Sequence, residues 1–206
     1  LYLPFKPKRR TRAQIAKEKG LDILAAKILE NKSTIISLEE VAKNFITPSD
    51  SKIEEHLRVL TVDDAIKGAS DIICEDIGEN AEYRALVREF YNTFGYIVAS
   101  KVETLPDGIK DDPNDEKYKT WQQKLSKYQN YFNYRVMAIR RGETEGALRT
   151  KIEVDNEEII KKLKSVIVDS EHNITTAVQN FLYGCVEDAY KRFIAPAIET
   201  EIRVNL

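Results

Sequence analysis

Along most of this chain apolar residues recur every three or four positions, with charged residues between them, which is the period of amphipathic helices. Residues 11–20 are the first such stretch. Thr11 precedes it, Gln14 follows at capping-box spacing, and Gly20 suits a left-handed stop. Residues 21–30 place Leu24, Ala25, Ile28 and Leu29 on one face, and Ser37 with Glu40 repeats the capping spacing ahead of Leu38, Val41, Ala42 and Phe45. Thr61 heads a longer helix striped by Val62, Ile66, Ala69, Ile73 and Ile77. The next begins at Asn80, carries Tyr83, Leu86, Val87, Phe90, Tyr91 and Phe94, and stops at Gly95.

Two stretches leave this period. Residues 96–102 are β-branched and aromatic, and 148–154 alternate apolar with polar, so both predict short strands. Residues 118–140 predict a helix with Trp121, Leu125, Tyr128 and Phe132 on its buried stripe, broken by Gly142 and Gly146. Asp155 caps a helix with Ile159, Leu163, Val166 and Ile167 inward. A long final helix over 174–206 should kink at Pro196, which lacks a backbone donor and crowds the carbonyl of Arg192. The expected fold is all-α, a multi-helix body with at most two or three short strands. The two helices of 61–95, joined by the tight link Gly78-Glu79-Asn80, have the dimensions of a helix-turn-helix, and the Pro, Gly and Asp rich stretch after them reads as a linker or exposed loop.

Composition narrows the chemistry. The 206 residues are 42% hydrophobic and 32% charged, enough for one sizeable core or two small ones, and no apolar run approaches the roughly 18 residues of a membrane span, so no membrane partner is expected. Cys74 and Cys185 are too few for a disulfide framework, and His56 and His172 stand at no ligand spacing from them. Buried free thiols, a cytoplasmic location, no metal and no cofactor are the expectation. Neither histidine belongs to a catalytic triad, and no phosphate-binding glycine loop occurs. The carboxylate pairs Asp63/Asp64 and Glu157/Glu158 stand at helix starts, where negative charge is favoured, and Glu199/Glu201 reads as surface charge. The chain is therefore expected to be non-enzymatic, with no catalytic residue.

A DNA-reading helix would lead with Arg, Lys, Asn or Gln. The second helix of the 61–95 pair opens Glu79-Asn80-Ala81-Glu82, whose acids repel phosphate, so packing or protein docking suits it better. The stretch 118–135 mixes aromatics with cations, as base stacking requires, but its helical spacing assigns most rings to a core and leaves Lys127, Tyr131 and Tyr134 as exposed contacts.

One strip remains as a candidate site. Lys6, Lys8, Arg9, Arg10 and Arg12 fall within seven residues that hold no acid, Pro4 and Pro7 keep the approach extended, and a helix start follows at once. Residues 1–20 hold seven Lys or Arg and one Glu, a balance of +6; the whole chain carries −2, so the remainder carries −8. Such asymmetry draws a polyanion to one end. These five residues are the candidate nucleic-acid-binding set, contacting phosphates of RNA or DNA without sequence preference and weakening as salt rises.

The same stretch, LYLPFKPKRRTRAQIAKEKGL, resembles the early signature of the Tex family of bacterial transcription accessory proteins. Further echoes follow in order: AIKGASDIICEDI (65–77), EFYNTFGYIVASKV (89–102), RRGETEGALRTKIEVD (140–155) and VEDAYKRFIAPAIETEIR (186–203), while residues 107–137 depart from the pattern. The resemblance implies a multi-helix body with an inserted helix-turn-helix-like module: 1–60 as the first part of the body, 61–103 as the module, 104–117 as a linker or loop, and 118–206 as the second part ending in a long helix. It implies that this region stands ahead of a ribonuclease-H-like domain, helix-hairpin-helix elements and an RNA-binding barrel. It implies a role in transcription and nucleic-acid binding. With no initiator Met and an end still in helical register, the chain is expected to be a segment of a longer protein, partnered by its own remaining domains. It would be a scaffold assisting nucleic-acid binding. The alternative is a module that docks on the transcription machinery through the helix-turn-helix, with no direct nucleic-acid contact.

Overall fold

Thr11, Ser37, Thr61 and Thr175 each accept a hydrogen bond from the amide three residues on, at 3.0, 3.3, 3.1 and 3.4 Å, and these caps set where four helices begin. The computed structural model describes residues 10–49, 51–108, 121–128, 134–170 and 173–205. The helices are α1 (Arg12–Glu18), α2 (Asp22–Glu30), α3 (Leu38–Lys43), α4 (Val62–Glu79), α5 (Ala81–Phe94), α6 (Leu125–Tyr128), α7 (Tyr134–Thr144), α8 (Asn156–Ile167), α9 (Thr176–Ala189) and α10 (Ala195–Asn205). The strands are β1 (Tyr96–Lys101), β2 (Trp121–Lys124) and β3 (Leu148–Glu153). The fold is predominantly helical with one small sheet.

Packing divides the described residues into two units, one running through Asn80 and resuming at Ile160–Phe193, the other comprising the described parts of Ala81–Ile159 and Ile194–Leu206. The chain crosses from one to the other between α4 and α5, within α8, and at the wide π-type turn Tyr190–Ile194.

In the first unit α4 is the central rod, burying Ala65, Gly68, Ala69, Ile72, Ile73, Cys74, Ile77 and Gly78. Helix α1 lies on it through Ala13 and Ala16. A side chain at Gly68 would overlap the buried Leu21 and press on Ala16, so the small residue is what lets α1 and the turn after it approach. Gly20 makes that turn at φ +76°, in the left-handed region that glycine enters freely. Arg192 donates to Asp71 at 2.8 Å and Lys164 to Glu187 at 2.6 Å, while Thr175 donates to the carbonyl of Ile35 and its amide to that of Lys32.

In the second unit β1 is the middle strand of an antiparallel sheet ordered β2-β1-β3, with Tyr96 opposite Lys124 and Glu153, and Ala99 opposite Trp121 and Thr150. Ile97, Ala99 and Leu148 are buried on one face of it. Val87, Tyr91, Leu125, Ile139, Ala147, Ile159, Ile194, Ile198 and Ile202 are also buried in this unit.

Several expectations need correction. Trp121–Lys124 is a strand, because an open edge of β1 offers it a ladder that a lone four-residue turn of helix cannot match. Gly142 does not break α7, which runs through it and ends instead before Gly146 at φ +73°. Gly78 belongs to α4 and packs on Phe193, leaving Asn80 alone between α4 and α5. Leu29, Val166 and Phe94 are more than a third exposed, and Val168 takes the buried place expected of Val166. The linker 104–117 is described only to residue 108, and His172, Tyr131 and Phe132 lie outside the described residues, as do the side chains of Lys127, Tyr128 and Tyr134. At the far end, the wide turn absorbs the missing donor of Pro196, the second residue of α10, and the chain stays helical on both sides.

Candidate nucleic-acid interface

Thr11 stands in extended conformation at φ −76°, ψ 161°, and its hydroxyl accepts from the Gln14 amide, so the strip ahead of it meets α1 at a defined point. Arg12 is the first residue of that helix and is exposed. Arg10 is also exposed, with its guanidinium 3.5 Å from the Glu18 carboxylate one helix length along; the side chains are 63% and 30% exposed. A pair so open to water is worth a fraction of a kcal/mol, up to about 1, so a phosphate can compete for Arg10. Lys6, Lys8 and Arg9 lie outside the described residues. Of the five candidates, Arg10 and Arg12 fall among the described residues and stand exposed on either side of the Thr11 cap, at the start of a helix whose Ala13 and Ala16 are buried.

Helix α1 is seven residues long, so its dipole adds little; the cationic side chains themselves carry the attraction. Lys17, further along, lies 3.9 Å from Asp76 of α4.

Several cations elsewhere are committed to partners. The carboxylate of Asp71 raises the guanidinium of Arg192 above its ordinary value, and that of Glu201 does the same for Arg88. In the second unit Arg141 donates to Glu145 at 2.9 Å, and Arg140 lines a small cavity of about 80 Å³ with Lys151 and Arg203, whose guanidinium donates to the Thr150 carbonyl. The side chain of Arg135 lies outside the described residues.

Two features escaped the sequence. Glu199 and Glu201 are not loose surface charge: Glu201 is gripped by Arg88, and Glu199 accepts from the Tyr91 hydroxyl at 3.4 Å. Cys74 and Cys185, 111 positions apart, meet inside the first unit, where the Cys74 thiol donates to the Cys185 carbonyl at 3.3 Å and Ser70 Oγ lies 3.4 Å from Cys185 Sγ. No local pattern announces either pairing. Among the described residues no group of three or more His, Cys, Asp or Glu is placed to hold a metal, and no helix is long and apolar enough to cross a membrane.

A predominantly helical region with one small antiparallel sheet is the class of protein these features define. The chain belongs to the Tex central region-like family, whose model matches residues 36–206. Protein tex of Bordetella pertussis is 32% identical over 152 residues, 74% of this chain, and transcriptional accessory protein Tex of Neisseria gonorrhoeae is 30% identical over 150 residues, 72% of it. The uncharacterized protein YdcI of Bacillus subtilis is 35% identical over all 206 residues, the basic strip included. The chain spans 26% of the length of the Bacillus protein and 17% of each of the other two.

Proposed function

We propose that this region is a non-enzymatic scaffold that helps a Tex-like transcription accessory protein hold nucleic acid, with Lys6, Lys8, Arg9, Arg10 and Arg12 contacting phosphates. The observation that carries this reading is the exposure of Arg10 and Arg12 at the capped start of a helix fastened to α4 through Ala13 and Ala16. Anchoring lowers the entropy lost when the two side chains engage a polyanion. Neither arginine is placed near base edges by a recognition helix, so the contact is with backbone phosphate and serves RNA and DNA alike. The full-length protein's other domains and the transcription machinery are the proposed partners, in the cytoplasm.

The test is a titration of labelled single-stranded RNA and duplex DNA with the full-length protein, repeated from about 50 to 200 mM salt. Replacing the five cations with Gln should flatten the dependence of log K on log salt. An unchanged slope removes them from the interface.

A further inference from the structure

Phe94 ends α5 with its side chain 56% exposed. Its ring lies 4.8 Å from that of Phe90, one turn earlier, at an interplanar angle of 49°. With Tyr96 these rings line an open cleft of about 720 Å³ in the second unit, into which the end of β3 and the start of α8 bring Glu153, Asp155 and Glu158. Every charged residue lining it is a carboxylate.

Helix capping accounts for part of this. Asp155 accepts from the Glu158 amide at 3.0 Å, and Glu153 accepts from Lys151 at 2.5 Å. Each of these carboxylates nevertheless keeps accepting capacity, since an ionised carboxylate offers about four lone-pair positions. Capping also gives no reason to leave Phe94 open to water beside the acids, when the other large aromatics with described side chains, Phe90 among them, are half-buried or buried.

The ligand that satisfies both walls is a cation on an organic stem. Aromatic faces attract ammonium and guanidinium groups, and carboxylates pair with them. Tyr96 already makes one such contact, with Lys124 Nζ 6.0 Å from its ring centroid. The volume accommodates several side chains rather than an ion, and the same carboxylates repel a phosphate chain.

We infer that this cleft docks an arginine- or lysine-rich peptide segment of a protein partner, one cationic side chain lying on the Phe90, Phe94 and Tyr96 rings with its head group at Glu153, Asp155 and Glu158. The site is opposite in sign to the Arg10 and Arg12 strip and is independent of it.

The probe is a fluorescein-labelled nine-residue peptide of alternating Arg and Gly, titrated with the chain and followed by anisotropy, with far-UV circular dichroism on each variant. Phe94→Ala should weaken binding about tenfold and Glu158→Gln about threefold or more, whereas Glu54→Gln with Glu55→Gln, which neutralises exposed acids of the other unit, should leave it within about twofold. Lys124→Ala should tighten binding by freeing the Tyr96 face. Equal losses from the Glu54/Glu55 control and from Glu158→Gln, with none from Phe94→Ala, would mean attraction to bulk charge and would overturn the inference. So would loss of labelled single-stranded RNA binding on Phe94→Ala, which would make the rings a base-stacking platform.

Discussion

Arg88 reaches from α5 to α10 and holds Glu201 in a two-pronged grip, Nε to Oε1 at 2.6 Å and Nη2 to Oε2 at 2.9 Å. The two residues are 113 positions apart, and the fork geometry matches the planar guanidinium to both carboxylate oxygens. Two elements of the second unit that are remote in sequence are thereby tied side to side.

That tie has a pH signature. The hydrogen bond from Arg88, aided by its charge, holds the Glu201 carboxyl below the usual carboxylate range. A lowered folded-state value stabilises the fold fully above the unfolded value of about 4.3, and the gain is lost as pH falls through the lower folded value. Both side chains are about 40% exposed, so screening limits the pair to roughly 0.5–1 kcal/mol. Urea unfolding should find Glu201→Gln less stable than the parent by about that much at pH 7, with the gap closing below about pH 4. A gap that persists at pH 3 would mean the loss is one of packing.

Gly78 and Gly184 should respond oppositely to alanine. A Cβ at Gly78 would stand 2.6 Å from the Cβ and 2.9 Å from the Cγ of Phe193, and a Cβ cannot rotate away. At Gly184, within α9, nothing lies within 4 Å. Gly78→Ala should cost about 1–3 kcal/mol through overpacking, whereas Gly184→Ala should gain about 0.5–1 kcal/mol because alanine is the better helix former. Thermal unfolding of the two variants checks both signs.

The two thiols should be inert in the folded protein. The hydrogen bond with Cys74, and then burial, push Cys185 well above the ordinary thiol range, whereas the same bond holds Cys74 below it. Both residues are at most 1% exposed, so burial shields Cys74 as well, and a chromogenic thiol reagent at pH 8 should label neither cysteine until urea unfolds the chain, and both afterwards. Labelling in native buffer would mean that α4 and α9 part on the timescale of the assay.

Arg10 can be tuned without touching it. If it binds phosphate, Glu18 competes for it across 3.5 Å of largely solvated space. Glu18→Gln should then raise RNA affinity about two- to threefold at low salt, an effect that fades as ionic strength shortens the Debye length. The double variant Arg10→Gln with Arg12→Gln should reduce the slope of log K against log salt by up to about 1.4–1.8.

Much of the local structure was legible in the chain because its causes are local. A hydroxyl at Thr11, Ser37 or Thr61 caps the amide three residues on wherever the helix sits, Gly20 turns left-handed because it lacks a Cβ, and α4 and α5 follow from apolar spacing. The family was legible too, since its motifs fall in order along nearly the whole chain. Trp121–Lys124 was misread because a four-residue segment takes its state from its neighbour, and its neighbour is β1, some twenty residues earlier. The exposed place of Phe94 was hidden because the helical period gives the apolar face of α5 but not where the elements covering that face run out.

The amino-acid order by itself determined the helical character, the caps, the strands β1 and β3, and the cationic stretch that holds Arg10 and Arg12. These depend on interactions spanning at most a few residues, or on charge that can be counted. Only the tertiary structure decided that Arg88 closes on Glu201, that Cys74 meets Cys185, and that Phe94 stays open beside Asp155 and Glu158. Those pairings join segments far apart along the chain, and their partners are selected by how whole helices and strands pack, which no local spacing records.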